Sequence, residues 1–137
     1  MTWVSGRSEI GPGLVALVGV GPHDDERTAE RVAEKVLQLR IFEDAQGRTN
    51  LSLADVGGQL LAISQFTLFA DISRGRRPGF TGAAGPELAE RIYDRLLTAL
   101  RERGAQVAAG RFGADMDVEL VNQGPFTLLI DTDTLAG

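Results

Sequence analysis

The sequence predicts a single mixed α/β domain in which two amphipathic helices cover one face of a sheet. Three observations carry this. A short apolar run, Leu14 to Val18, is fenced by Gly11-Pro12-Gly13 and Gly21-Pro22. A helical apolar rhythm runs from Leu88 to Leu100 behind Pro86. Strand-like apolar segments lie between and after these two, joined by short links. The order strand, helix, strands, helix, strands leaves too few helices for a doubly wound fold, and the last third reads as antiparallel.

Leu14, Val15, Ala16, Leu17 and Val18 form a run too short for a helix, so a fully buried strand is expected. From Thr28 the pattern changes: Ala29, Val32, Ala33, Val36 and Leu37 recur at helical steps. Asp24, Asp25 and Glu26 stand near the start of that helix, where negative charge suits its dipole. The helix leads into Ile41-Phe42, a turn at Gly47 and a polar stretch ending at Gly57-Gly58. Gln59 to Phe69, with Leu60, Leu61, Ile63, Phe66, Leu68 and Phe69, reads as a central strand. Pro86 suits the first position of a second helix, whose face is Leu88, Ala89, Ile92, Tyr93, Leu96, Leu97 and Leu100 and whose end is Gly104. Val107, then Val118 with Leu120, then Phe126, Leu128 and Ile130 are expected as closing strands, the last two separated by Asn122-Gln123-Gly124-Pro125.

A chain of 137 residues that is 43% hydrophobic has enough material for one core, so residues 1–137 are read as one domain. With no Cys, the chain cannot be a disulfide scaffold, a Cys-ligated zinc protein, an iron–sulfur protein or a thiol enzyme. The longest uncharged apolar stretch, Gly13 to Val20, falls short of the roughly 18 residues a spanning helix needs, so no membrane partner is expected. Arg7 and Glu9 precede that stretch and acidic residues follow it without a small-residue cleavage pattern, which points to the cytoplasm. A net charge of -5 argues against an extended nucleic-acid surface, and DNA is not an expected partner. It leaves room for a local basic patch: Arg74, Arg76 and Arg77 crowd a Gly- and Pro-bearing loop, Ser73 to Gly79.

Generic motifs do not name a reaction. The one imidazole, His23, sits in a hydrophilic turn, away from any Ser that could complete a triad. Asp115, Asp117 and Glu119 would share a face if that segment were a strand, but they read as a solvated face, because hard-cation sites recruit ligands from several segments. Neither Gly11-Pro12-Gly13 nor Gly57-Gly58 has phosphate-loop spacing. No metal or cofactor is expected.

Two longer segments carry more. Ser64-Gln65-Phe66-Thr67-Leu68-Phe69-Ala70-Asp71 and Asn122-Gln123-Gly124-Pro125-Phe126-Thr127 resemble the two signature motifs of the D-aminoacyl-tRNA deacylases, the D-tyrosyl-tRNA(Tyr) deacylase family. The resemblance continues through Ile10-Gly11-Pro12-Gly13-Leu14, Leu39-Arg40-Ile41-Phe42, Gly75-Arg76-Arg77-Pro78 and Gly110-Arg111-Phe112-Gly113-Ala114-Asp115-Met116, in family order and spacing, and so covers nearly the whole chain. It implies a single-domain α/β fold of layered mixed and antiparallel sheets with two main helices. It also implies a homodimer that acts on the 3′ acceptor end of aminoacyl-tRNA. Family members usually open with a further strand carrying Gln-Arg-Val ahead of the region matching Val4 to Gly13, and an Arg of that strand helps hold the Gly-Pro motif. Here that stretch is not found, so either the start was assigned downstream or an edge strand is missing, which would leave backbone groups unpaired.

The resemblance also implies roles. Gly124-Pro125 looks like the family's Gly-cisPro motif, which each subunit inserts into its partner's pocket; read by itself, the dipeptide is an ordinary trans turn. Rigid carbonyls there would accept hydrogen bonds from an α-amino group while occupying the space an L side chain needs. Glycine has no side chain to exclude, so glycyl-tRNA, such as glycine mischarged on tRNA(Ala), is an expected second substrate. Thr67 is the obvious hydroxyl but has no base to activate it, so it is read as positioning the substrate. The resemblance suggests that the adjacent ribose 2′-hydroxyl assists hydrolysis while backbone donors around Phe66 and Thr67 stabilise the oxyanion.

Ser64 and Gln65 complete the first motif as site candidates, or else are a satisfied strand end. Phe66 either stacks on adenine or packs in the core. Met116 and Phe112 match the family's pocket wall, with packing as the alternative. Asn122 and Thr127 flank the Gly-Pro step and join the substrate-binding set. Arg74, Arg76 and Arg77 are candidate phosphate contacts, or a solvated loop. The competing reading is a module of the same fold that binds aminoacyl-tRNA or a D-amino acid without hydrolysis.

Overall fold

The computed structural model describes residues 7–136. Val4, where the family-like region opens, lies outside the described residues. In chain order the elements are β1 (Gly13–Val18), α1 (Glu26–Gln38), β2 (Phe42–Glu43), β3 (Thr49–Leu51), β4 (Gln59–Ser64), α2 (Pro86–Glu102) and β5 (Gln106–Ala109), with 3-10 turns at Phe66–Phe69 and Thr132–Thr134. Strands β1, β4 and β5 make a parallel sheet in the order β1-β4-β5, and β2 and β3 pair as a short antiparallel ribbon. The fold is therefore α/β with two helices and both kinds of sheet.

Local chemistry sets the helix starts. The Asp25 side chain accepts from the Thr28 N–H while the Thr28 hydroxyl accepts from the Asp25 N–H, so two otherwise orphaned donors are satisfied reciprocally. The Thr28 N–H holds the Asp25 carboxyl below its usual range. Pro86 opens α2, where its missing N–H costs nothing.

With the strand order β1-β4-β5, α1 packed on α2 and α2 on β5, right-handed crossovers put both helices on one side of the sheet. Leu60, Ala62, Ala33 and Ala99 are completely buried where α1 and α2 meet β4. The helices run the same way along the sheet, and Glu26–Arg91, Glu30–Arg95 and Glu34–Arg103 ion pairs join them on the solvent side. Such exposed pairs add little individually, so the apolar face holds the layers together.

Three expectations are corrected. β1 is not fully buried: Leu17 is 49% exposed, because β1 is an edge strand and the helices cover only one face of the sheet. The Gln59–Phe69 run is not one strand: β4 stops at Ser64 and Phe66–Phe69 coils into a 3-10 turn. Its later apolar side chains turn toward the end of β1, where Phe69 approaches the backbone of Gly19 and Gly21. The closing strands at Val118–Leu120 and Phe126–Ile130 are not formed and do not build an antiparallel third. Alternation alone cannot make a strand without a neighbouring edge to bond, and these segments meet none among the described residues.

Candidate functional site

Because β1, β4 and β5 are parallel, Val18, Ser64 and Ala109 end them at the same side of the sheet. Ligand crevices of open α/β sheets lie outside the carboxyl ends of strands, and the first motif sits there. The Gln65 N–H donates to the Val18 carbonyl at 2.7 Å, anchoring the chain as it leaves β4. The 3-10 turn then exposes Phe66 and Thr67. Their two N–H groups open the turn and have no acceptor among the described residues, as expected for the first donors of a helical turn. Gln65 Nε2 donates to the Thr67 hydroxyl, which has no His, carboxylate or Lys as partner. Ser64 and Gln65 are half-buried at the rim.

Met116 and Phe112 come to the same end of the sheet from β5. The Met116 thioether lies over Gly110, where a Cβ would stand 3.1 Å from its sulfur and 3.8 Å from Ile63 of β4. Phe112 is half-buried, its ring centroid 6.3 Å from that of Tyr93. The structure thus gathers Ser64–Thr67, Phe112 and Met116 around the ends of β4 and β5.

The arginine loop leaves this end too. Asp71 and Gly79 exchange two backbone hydrogen bonds, of 2.7 and 2.9 Å, which pinch residues 72–78 into a closed loop. The Ser73 hydroxyl and N–H donate to the Asp71 carboxylate and hold it below the usual carboxylate range. Arg74, Arg76 and Arg77 are exposed, without ion-pair partners among the described residues. Phe80, just past the loop, meets Phe66 edge-on with centroids 5.1 Å apart. Sequence reading missed Phe80, and its signal was an aromatic placed directly behind the basic loop.

Asn122 braces the second motif across its own turn: Nδ2 donates to the Thr127 hydroxyl at 2.9 Å and Oδ1 accepts from the Phe126 N–H at 3.0 Å. Between them Gly124 adopts φ +110, a conformation that L side chains rarely take. The cis geometry expected for Gly124-Pro125 is not found: every described peptide bond is trans. A cis X-Pro bond costs about 0.5–1 kcal/mol, and the side-chain hydrogen bonds of this exposed turn among the described residues run within the turn itself. Among the described residues no hydrogen bond joins the turn to Ser64–Thr67 of the same chain.

His23 is exposed in the turn before α1, and Asp115, Asp117 and Glu119 lie outside any strand. Among the described residues no three His, Cys, Asp or Glu side chains converge as metal ligands. A solvent-open recess of about 560 Å³, lined in part by Glu34, Arg40, Asp55 and Arg103, holds none of the motif residues.

The chain is similar to known proteins over most of its length. A family model described as D-Tyr-tRNA(Tyr) deacylase matches residues 4–131. The D-aminoacyl-tRNA deacylase of Symbiobacterium thermophilum is 54% identical over 125 residues, which are 91% of this chain and 83% of that protein. A solved structure of the c-Myc DNA Unwinding Element Binding Protein superposes with TM-score 0.79 at 37% identity, covering 85% of this chain and 80% of its own. A structure described as a probable eukaryotic D-amino acid tRNA deacylase shares the fold, with TM-score 0.66 at 17% identity and 77% of each chain covered.

Proposed function

The chain belongs to the D-Tyr-tRNA(Tyr) deacylase family, and from that premise we propose that it is a D-aminoacyl-tRNA deacylase formed by a single domain, 1–137. Water attacks the ester carbonyl, the bond to the ribose oxygen breaks, and that oxygen takes a proton, leaving free D-amino acid and tRNA. The observation that carries the reading is the pair of N–H groups at Phe66 and Thr67 that meet no acceptor among the described residues, beside the half-buried Ser64 and Gln65. Two adjacent donors suit the oxyanion that develops on the ester carbonyl. Among the described residues Thr67 is bonded to the Gln65 amide and meets no base that would make it a nucleophile, so the neighbouring ribose 2′-hydroxyl is the proposed assistant.

Exclusion of L substrates is assigned to the main chain around Gly124-Pro125 of a second copy. Asn122 gives that turn the stiffness a wedge needs, and the turn is exposed and shares no hydrogen bond with its own chain's first motif among the described residues. Val118, Leu120, Phe126 and Leu128 alongside it are 40–55% exposed, an apolar surface suited to a homodimer. The wedge depends on where the carbonyls stand, and no cis bond is invoked. Met116 and Phe112 line the pocket, Thr127 steadies the wedge, and Arg74, Arg76 and Arg77 meet phosphates of the acceptor end. Among the described residues no helix is long and apolar enough to cross a membrane. The cytoplasm, where tRNA is charged, is the proposed location.

The test is turnover of D-tyrosyl-, L-tyrosyl- and glycyl-tRNA in the presence of a chelator. The D and glycyl esters should be cleaved and the L ester spared. Tight binding of the D ester without cleavage would select the non-hydrolytic module, equal cleavage of the L ester would remove the wedge, and a resistant glycyl ester would show that side-chain exclusion is not the selection rule.

A further inference from the structure

We infer that Tyr93 is a positioning residue for the deacylation site, acting through its hydroxyl, which sits between the carbonyls of the two backbone limbs from which the site is built. The inference rests on the placement of the site at Ser64–Thr67 and Met116. Tyr93 lies on α2, is 1% exposed, and its Oη stands 2.9 Å from the Ala62 carbonyl oxygen and 3.2 Å from the Gly110 carbonyl oxygen. Its single proton therefore faces two acceptors, one on each strand limb. The Ala62 carbonyl also accepts from the Gly110 N–H at 2.9 Å, so both of its lone pairs are engaged at this point.

The location matters because the parallel ladder ends here: Ala62 and Ala109 are the last pair between β4 and β5. Beyond it the strands part. Two residues past Ala62 the chain enters the first motif at Ser64, and two residues past Gly110 it reaches Phe112 before turning back to lay Met116 over Gly110. Past that pair the Gly110 carbonyl has no backbone donor as partner among the described residues. The Tyr93 hydroxyl supplies that partner from the helix layer and fixes how far apart the two limbs start. A small widening at the fork would displace the Phe66 and Thr67 donors relative to the pocket wall, and misplacement of about 1 Å can cost ~100-fold in rate. Tyr93 touches no reacting atom.

The experiment compares wild type, Tyr93→Phe, a variant with p-aminophenylalanine at 93, and Ile92→Val. The last trims a buried neighbour on α2 without removing a hydrogen bond. Tyr93→Phe should lower kcat for D-tyrosyl-tRNA by about tenfold or more with KM nearly unchanged, as expected when an interaction felt in the transition state is lost. Amide exchange at Gly110 should quicken, p-aminophenylalanine should restore kcat by returning a donor, and Ile92→Val should leave kcat alone. An unchanged kcat in Tyr93→Phe, or a fall that Ile92→Val reproduces, overturns the inference. Should Tyr93→Phe fold too weakly to assay, a p-aminophenylalanine variant that is folded but no more active than Tyr93→Phe at low temperature overturns it equally. Failure of wild type to cleave the ester would instead count against the proposed function, with Gly110 exchange still reporting on the fork.

Discussion

Phe69 closes over Gly19 so tightly that a Cβ at residue 19 would stand 2.9 Å from Phe69 Cε2 and 3.1 Å from Leu68 Cβ. Gly19 follows β1 directly, and the 3-10 turn carrying Phe66 and Thr67 rests on it. Gly19→Ala must therefore displace the Phe69 ring or the turn that carries it, and overpacking of this kind costs about 1–3 kcal/mol. The expected outcome is a lower melting temperature together with slower cleavage of D-tyrosyl-tRNA. Gly85→Ser is the control: a Cβ at that helix start meets open space, and a serine there should stabilise by a few tenths of a kcal/mol. Thermal melts and initial rates check both, and a Gly19→Ala protein matching wild type in each would show that the seat yields freely.

Thr67→Ala separates two chemistries. If Thr67 only positions substrate, removing its hydroxyl loses the bond from Gln65 and should cost no more than about tenfold in kcat/KM, since a single hydrogen bond is worth roughly 0.5–1.5 kcal/mol. Loss of a true nucleophile costs on the order of 10⁶. Single-turnover deacylation distinguishes these readily, and an inert variant with intact tRNA binding would transfer the chemistry to the side chain.

How much of this was legible depended on whether the signal was local. The α2 helix announced itself through Pro86, its apolar face and Gly104, all features of the segment itself, and the structure has it at Pro86–Glu102. The first motif is legible as a contiguous segment, and in the structure it runs from the end of β4 into the 3-10 turn. The end of β4 was misjudged because Phe66, Leu68 and Phe69 continue the apolar run, whereas the break is set by a long-range event, the hydrogen bond from Gln65 to Val18 and the docking of Phe69 at Gly19. Val118 to Ile130 fails as strands for the same reason in reverse: alternation describes a side-chain pattern, and pairing needs another edge. Gly124-Pro125 illustrates the limit of family likeness, since its isomer depends on surroundings that the motif does not contain. Tyr93 looked like one more core residue, and nothing in a 3.6-residue rhythm distinguishes a ring that packs from a hydroxyl that joins two strands.

The three loop arginines give a salt-dependence prediction. They are exposed, unpaired among the described residues and carried on a loop pinned by the Asp71–Gly79 bridge. Each phosphate contact on a single strand contributes about 0.7 to the slope of log affinity against log salt. Replacing Arg74, Arg76 and Arg77 together by Ala should flatten that slope by about 2 and weaken all tRNA substrates alike, D or glycyl, because phosphate contacts read no amino acid. Filter binding across a salt series measures it, and an unchanged slope would return the loop to bulk solvent.

Tyr93 makes an alkaline prediction whose sign follows from which form is buried. Burial is the main cause pushing its phenol from 10.0 up to about 12, with the Asp94 charge adding and Arg101 opposing. The folded protein holds the neutral phenol, so this group's contribution to stability is complete below pH 10 and is lost as the pH climbs from there through about 12. Tyr93 is the only tyrosine in the chain, so tyrosinate absorbance reports on it without interference from another phenol. Wild type should gain that absorbance only as its near-ultraviolet dichroism collapses, while Tyr93→Phe, with no phenol to ionise, should show a flatter stability profile across the same interval. Tyrosinate forming near pH 10 in a protein that still keeps its tertiary signal would mean that the hydroxyl reaches water and does not hold the strand fork.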